Sequence, residues 1–269
     1  MENLIWPNKD TKIFISMALN PGNTGAKLHN HLFRMLKLNC VYLPLKVENL
    51  SKAKHILKCF NYHGCSLSMP FKEKLIGQVD RLDIKAKKIG SINTILKKKN
   101  KLYGYNTDYF ASKSLLKNYK KLKNNRVLVL GCGGVAKAIL QSLNDLSFEK
   151  VYVSTRNKKR FTAAKLNKKF VFLPWKLRDQ ITVDIIINTT PLGMFGKWAD
   201  KTPIKIKKNK PKLIYDLPVN YKGNKLFKYA KKNKINYISG IRSSLIQGVK
   251  QFEIYNNIKV GKKILKKLI

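Results

Sequence analysis

The sequence predicts an α/β protein built from two units with a cleft between them. Three observations predict it. Short apolar runs alternate with helical stretches along the whole chain, the alternation falls into two series, and a glycine-rich turn opens the second series. Alternation of this kind favours a mostly parallel sheet with helices packed on both faces. At 269 residues the chain is long enough for two modest domains, each burying its own core. Hydrophobic residues make up 44% and aromatic residues 10% of the chain, which excludes wholesale disorder.

The first series places strands at Lys12–Met17, Cys40–Leu45, Cys65–Ser68 and Ser91–Lys97. Between them, Ala26–Leu38 and Ser51–Phe60 carry apolar residues at helical spacing. Gly104–Lys123 reads as a connecting helix, and with no Pro- or Ser-rich linker beside it the two units should be closely coupled. The second series places strands at Arg126–Leu130, Val151–Ser154, Phe170–Leu173, Ile185–Asn188 and Lys212–Asp216. Helices are expected at Gly134–Leu143, Lys158–Asn167 and Asn224–Asn233, and again at Ser243–Tyr255 and Val260–Leu268. There is no internal repeat.

Charge is the odd feature. Lys and Arg number 56 against 14 Asp and Glu, a formal charge of +42. At face value this points to nucleic acid or an anionic membrane. The choice of cation argues otherwise, because there are 49 Lys and only 7 Arg. Phosphate and base recognition leans on the planar fork of Arg. Lys, Asn and Ile are all abundant and share A/T-rich codons, so a biased genome raises the charge without selection for binding. The Lys are also dispersed in short clusters, such as Lys97–Lys99 and Lys207–Lys208. A solvated Lys-rich surface with no specific nucleic-acid partner is the expectation.

No apolar run approaches the roughly 20 residues of a membrane-spanning helix, and no membrane association is expected. Met1 to Asp10 lacks a basic region followed by an apolar core, so no secretory signal is expected. Cys40, Cys59, Cys65 and Cys132 have no regular spacing, which fits a reducing cytoplasm. Cys59, His63 and Cys65 lack a fourth close ligand and zinc-like pair spacing, so no metal is expected.

The strand Arg126–Leu130 runs directly into Gly131-Cys132-Gly133-Gly134-Val135-Ala136, the G-x-G-x-x-A form of the dinucleotide fingerprint. Gly131 permits the tight turn, Gly133 admits the pyrophosphate to the backbone, and Ala136 lets helix and strand pack closely. The helix N-terminus beyond, from Gly134, offers amides and positive dipole to phosphate. The next strand selects the dinucleotide. NAD sites usually end that strand in Asp or Glu, for the ribose 2′-hydroxyl. Here it ends Ser154-Thr155-Arg156-Asn157-Lys158-Lys159-Arg160, with no acid at all. Two scarce Arg within five residues suit a 2′-phosphate, and NADP is the expected cofactor.

Three further segments stand at or just after strand candidates, where open α/β sheets place ligand groups. They are Gly64-Cys65-Ser66-Leu67-Ser68-Met69-Pro70-Phe71-Lys72-Glu73, Gly90-Ser91-Ile92-Asn93-Thr94-Ile95 and Gly104-Tyr105-Asn106-Thr107-Asp108. Together with the glycine-rich turn they resemble the shikimate dehydrogenase family, in family order, from Ser16 to about Tyr255. Ser68 through Lys72 matches the family pattern ending in Pro-x-Lys. Asn93-Thr94 and Asn106-Thr107-Asp108 match its Asn-Thr and Asn-Thr-Asp motifs. Asp184–Asn188 with Gly193-Met194, Tyr215-Asp216, and Gly240 with Gln247 stand at expected family positions.

The resemblance implies reversible, NADP-dependent reduction of 3-dehydroshikimate to shikimate, in aromatic-compound biosynthesis. It implies a substrate-binding, catalytic domain over 1–104 plus 241–269 and a Rossmann-type NADP-binding domain over 105–240. Hydride arriving at a ketone carbon leaves an alkoxide, which needs a cation and a proton nearby. Lys72 can supply both and Asp108 can orient it; the sequence leaves open which of the two handles the proton. Ser16, Asn23, Ser68, Asn93 and Gln247 are the implied substrate ligands. Gly131, Gly133, Gly134, Ala136, Thr155, Arg156, Arg160, Asn188, Asp216 and Gly240 are the implied cofactor ligands.

One stretch departs from the pattern. Typical members carry Ser-x-Ser-Pro-x-x-His-Asn, whose hydroxyls bind the substrate carboxylate. Here it reads Asn23-Thr24-Gly25-Ala26-Lys27-Leu28-His29-Asn30. Together with Ser66–Lys72 it looks more like the shikimate dehydrogenase-like subgroup. Carboxylate recognition is left to Ser16, Asn23, Thr24 or Lys27. Quinate or aminoshikimate oxidation is the alternative within the class, and a basic nucleic-acid-binding protein on a degenerate dehydrogenase fold is the alternative outside it. A cytoplasmic monomer or homodimer is expected.

Overall fold

Side chains alternating between two covered faces of the first strand set the plan of the first unit. In the computed structural model, β1 (Lys12–Ala18) turns Ile13, Ile15 and Met17 to one face and Phe14 and Ser16 to the other. The structure describes residues 7–122, 124–164, 166–206, 210–261 and 263–265. The chain divides into two units, Met1–Phe110 with Ser244–Ile269, and Ala111–Ser243.

The first unit contains β1, α1 (Thr24–Met35), β2 (Cys40–Lys46), α2 (Leu50–Cys59), β3 (Gly64–Leu67), α3 (Phe71–Lys74), β4 (Arg81–Leu82), α4 (Ile84–Ile89), β5 (Thr94–Lys98) and β6 (Lys101–Tyr105). Its sheet has the order β2-β1-β3-β5-β6-β4. β1 pairs in parallel with β2 and β3, but β5 runs antiparallel to both β3 and β6. β4 pairs in parallel with β6, so the sheet is mostly parallel, as expected, with β5 the one reversed strand. The cause is local: Lys99 and Asn100 have φ of +48° and +58° between the paired residues Lys98 and Lys101. Two positive-φ residues make a tight hairpin turn, and a hairpin forces antiparallel pairing. Gly104 and Tyr105 accordingly close β6 rather than open the connecting helix, which is α5 (Thr107–Lys117).

Two cores cover the faces of this sheet. Ile15, Met17, Cys65, Leu67 and Ile95 pack with Ala53 and Leu57 of α2 and with Phe71. On the other face Phe14 and Tyr42 pack with Leu28, Leu32 and Phe33 of α1, and with Val249, Phe252 and Tyr255 of the last helix. Side chains settle the helix starts where they can. Asn49 accepts from Lys52 N–H at the head of α2, and Asp83 accepts from Lys85 and Ala86 N–H at the head of α4.

The second unit takes up the chain within α5 and continues through β7 (Arg126–Leu130), α6 (Gly134–Asp145), β8 (Lys150–Thr155), α7 (Lys158–Ala163), β9 (Phe170–Pro174), β10 (Ile185–Asn188), β11 (Leu213–Asp216), α8 (Lys225–Lys232) and β12 (Asn236–Ser239). α9 (Gly240–Asn256) returns the chain to the first unit. Every pairing is parallel and the order is β12-β11-β10-β7-β8-β9. The first strand, β7, lies at the centre and the order reverses between β7 and β10, as in dinucleotide-binding sheets. β10 and β11 are buried throughout, which is why they read as unbroken apolar runs. β12 is an addition to the strands expected from sequence. The expected helix over Lys158–Asn167 ends at Ala163, with residue 165 outside the described residues. So do Lys207–Lys208, residues 1–6 of the N-terminal stretch, residue 123, and residues 262 and 266–268 of the last expected helix.

His29 is fully buried in the aromatic core, stacked on Tyr42 at 4.4 Å between ring centroids, and burial outweighs the opposing pull of the Gln251 side chain on its proton. Burial lowers its pKa to about 3. The unfolded chain therefore takes up a proton near pH 6.5 that the folded chain refuses, so stability falls as pH drops from 6.5 toward 3. At pH 5 the loss amounts to about 2 kcal/mol. Denaturant unfolding at pH 7 and pH 5 should show a smaller acid loss in His29→Phe than in the wild type, by about that amount. Equal losses in the two proteins would reject the assignment.

Candidate active site

The chemistry-bearing residues of the first unit collect at the C-terminal ends of β1 and β3 and around the start of β5. Phe71 is buried and anchors α3, and Lys72 follows it with its carbonyl accepting from Ile92 N–H at 2.9 Å. Asp108 lies in the first turn of α5. Asn106 starts that helix: its Oδ1 accepts from Tyr109 N–H, and its Nδ2 donates to the Ser91 carbonyl. These anchors bring Lys72 and Asp108 together across 36 positions of sequence. Lys72 Nζ donates to Asp108 Oδ2 at 2.5 Å, and the side chains are 19% and 12% exposed. A cation and a carboxylate this close, largely screened from water but still reachable, form an oriented acid–base pair.

Asn93 lies beside them and is 1% exposed. Its Nδ2 donates to Thr107 Oγ1 (3.0 Å) and Gln247 Oε1 (3.1 Å). Its Oδ1 accepts from Thr107 N–H (2.7 Å), Thr94 Oγ1 (2.9 Å) and Thr107 Oγ1 (3.2 Å). The expected free amide is thus saturated by protein groups, and a ligand hydroxyl would have to exchange with one of these bonds. Gln247 Oε1 is 3.1 Å from Thr107 Oγ1 and competes with Asn93 Oδ1 for the hydroxyl's single proton, and Gln247 Nε2 donates to the Ser244 carbonyl. Thr107, inside the Asn106-Thr107-Asp108 motif, joins the site through these bonds; a threonine between two more reactive residues gives no local sign of it.

The remaining expected substrate residues are more scattered. Ser16 is half-buried on β1, facing the buried Tyr42 hydroxyl. Ser68 is exposed, held by its backbone to Met17 and Phe71. Asn23 is exposed at the head of α1, where its side chain makes no capping bond. Gly25 explains part of the departure in this stretch. A Cβ there would lie 3.2 Å from Tyr42 Oη, so the tyrosine crowds the position.

In the second unit the glycine-rich turn follows β7 at the reversal of strand order. Gly131 has φ of +107°, and a Cβ on it would lie 2.5 Å from Thr189 Oγ1. Gly133 starts α6 in extended conformation with no side-chain cap, and Ala136 is fully buried against the sheet. The first-turn amides from Gly134 onward are therefore presented without a competing side chain, as a pyrophosphate requires. Arg160 Nη1 stands 3.8 Å from where a Cβ of Gly133 would be, and Arg156 is exposed just past β8. Thr155 is buried and its Oγ1 accepts from Asn157 N–H. These residues fit a dinucleotide that carries an additional phosphate.

Two expected cofactor ligands do other work. Asn188 and Asp216 are fully buried register partners at the ends of β10 and β11. Asn188 Nδ2 donates to Asp216 Oδ1 and the Leu192 carbonyl, and its Oδ1 accepts from Thr190. Asp216 Oδ2 accepts from Asn224 Nδ2 and Tyr237 Oη. Burial pushes the Asp216 carboxyl above its usual range, against the pull of these bonds. Neither side chain is open to a ligand; they brace the loops that follow the strands. Gly240 is also structural, because a Cβ would lie 2.1 Å from the Leu217 carbonyl oxygen.

A β7-centred parallel sheet with an open phosphate-binding turn, together with a buried-edge Lys–Asp pair, defines a dinucleotide-dependent oxidoreductase class. Residues 24–95 match the family described as the shikimate dehydrogenase substrate binding domain. The chain is 35% identical over 255 residues to a shikimate dehydrogenase (NADP(+)) of Clostridium beijerinckii, covering 93% of this chain and 92% of that one. It is 32% identical over 254 residues to a shikimate dehydrogenase-like protein of Haemophilus influenzae, with the same coverage. The crystal structure of shikimate dehydrogenase 1 from Peptoclostridium difficile superposes with a TM-score of 0.86 at 29% identity, over 96% of each chain. The chain belongs to the shikimate dehydrogenase family.

Replacing Gly240 by Ala should destabilise the protein by about 3 kcal/mol, since the contact is with backbone that cannot rotate away. Gly77, with open space around its Cβ position, is the control and should tolerate Ala. Urea denaturation of both variants checks the difference.

Proposed function

We propose that this chain catalyses the reversible, NADP-dependent reduction of 3-dehydroshikimate to shikimate. The observation that carries the reading is the Lys72–Asp108 pair set beside the Asn93–Thr107–Gln247 network, in a chain of this family. In the reductive direction a ketone oxygen gains negative charge and then a proton. Lys72 Nζ offers the charge and the proton to that oxygen. Asp108 holds the ammonium in place and steadies it through the transfer. Asn93 and Gln247 receive a ring hydroxyl by giving up their mutual bond, which costs little because each hydrogen bond is replaced. The altered Asn23–Gly25 stretch leaves Ser16, Asn23, Thr24 and Lys27 as carboxylate partners.

Gly131, Gly133 and the amides from Gly134 hold the cofactor pyrophosphate, with Arg156 and Arg160 on the 2′-phosphate. When bound, the nicotinamide cofactor supplies or accepts the hydride. The protein works in the cytoplasm on a small-molecule substrate, as a monomer or homodimer, without a membrane or a specific nucleic acid. Among the described residues no helix is long and apolar enough to cross a membrane.

Reduction of NADP should be measured with shikimate, quinate and aminoshikimate, and kcat/KM should be highest for shikimate. Equal or greater activity on quinate would reassign the substrate, and inertness toward all three would overturn the reading. Lys72→Ala should lower kcat by about 10²–10⁴-fold, with its thermal midpoint close to the wild type. Combining Arg156→Asp with Arg160→Ala should raise KM for NADP by about tenfold or more. The same variant should change KM for NAD little, and a parallel rise for NAD would remove the assigned role.

A further inference from the structure

Gln251 lies one helical turn beyond Gln247 on α9, on the same face of the helix. It is 3% exposed, its side chain reaches the buried His29 ring, and it makes three hydrogen bonds to other elements. Nε2 donates to the Asn93 carbonyl at 3.0 Å and to Thr94 Oγ1 at 3.1 Å. Oε1 accepts from Ser66 Oγ at 3.1 Å, and Ser66 Oγ is itself 2.9 Å from Tyr255 Oη. One amide therefore ties together α9, the entry to β5 and the end of β3. Thr94, which it holds, donates in turn to Asn93 Oδ1. Asn93 is thus fixed twice over, its backbone by Gln251 and its side chain by Thr107 and Gln247.

This arrangement has a consequence for binding. If a ring hydroxyl enters by displacing the Asn93–Gln247 bond, the Asn93 side chain loses one of its supports at that moment. The backbone bond from Gln251 does not take part in the exchange and keeps Asn93 in place. We propose that Gln251 is a positioning residue for substrate recognition, holding Asn93 and Thr94 so that the Asn93 amide meets the ring hydroxyl. It touches neither substrate nor cofactor, and the proposal rests on the ring-acid dehydrogenase reading given above.

The experiment is steady-state kinetics on Gln251→Met and Gln251→Asn, with shikimate and NADP varied separately. Methionine keeps the volume and removes the amide, whereas asparagine keeps an amide that is too short to reach Asn93. Wild-type turnover with shikimate is measured first. An inert wild type would fail the functional reading itself, not this inference. With an active wild type, both variants should raise KM for shikimate by about tenfold. KM for NADP and kcat at saturating shikimate should stay within about twofold of the wild type. Calorimetric titration of shikimate without cofactor should show the same loss. If Gln251→Met fails to fold, Gln251→Asn carries the test. An unchanged KM for shikimate in a folded variant, or an equal rise in both KM values, would overturn the assignment.

Discussion

The side-chain amide of Asn93 is the joint on which the first unit depends. Five hydrogen bonds converge on it from Thr94, Thr107 and Gln247, and its backbone carbonyl takes a sixth from Gln251. The group is all but sealed from water, so each missing partner would leave a buried polar atom unpaired, at a cost of about 1–3 kcal/mol. That penalty makes the register of β5, the start of α5 and the rotation of α9 mutually dependent. Asp108 stands next to Thr107, so the same constraint sets where its carboxylate meets Lys72. The geometry of the proposed Lys72–Asp108 pair and the stability of the fold are secured by one set of bonds.

The second unit solves a similar problem with a different group. Asp216 and Asn188 lie side by side on adjacent strands and close a buried network that includes Asn224, Thr190 and Tyr237. The network fixes the loops after β10 and β11, and Asn224 also caps α8 by accepting from Phe227 N–H. Glycine finishes the work where backbone meets backbone or turns sharply. Gly240 lies against the Leu217 carbonyl, and Gly131 reaches a φ that side chains disfavour.

Much of this was legible in the sequence. β7 and β10 have the bounds that their apolar runs announce, and most other elements differ by one or two residues at an end. The glycine-rich turn was legible because its chemistry is local, and Lys72 and Asp108 because they stand in motifs that resemble those of the family. β4, β6 and β12 were not, being two to five residues long and, in β6, interrupted by Gly104. The hairpin that reverses β5 was carried by Lys99-Asn100, and a lysine is a weak signal for positive φ. The +42 charge, prominent in the composition, has no part in the buried networks. Lys72 is the one lysine that the proposed mechanism uses in the first unit's acid–base pair.

By itself the sequence determined the periodicity of most elements and the glycine-rich turn that opens the second series. These follow from neighbours within a few residues, where side-chain spacing and backbone preference act directly. Tertiary structure alone decided that Asn93 is saturated, that the Asn188 and Asp216 side chains are joined in a buried network, and that Gln251 reaches β3 and β5. Their partners lie far along the chain: 154 positions separate Asn93 from Gln247, and 185 separate Ser66 from Gln251. Whether a buried amide is free or spent depends on which of these distant groups the fold brings within hydrogen-bond range. No local pattern encodes that, because the energy resides in the pair and not in either residue.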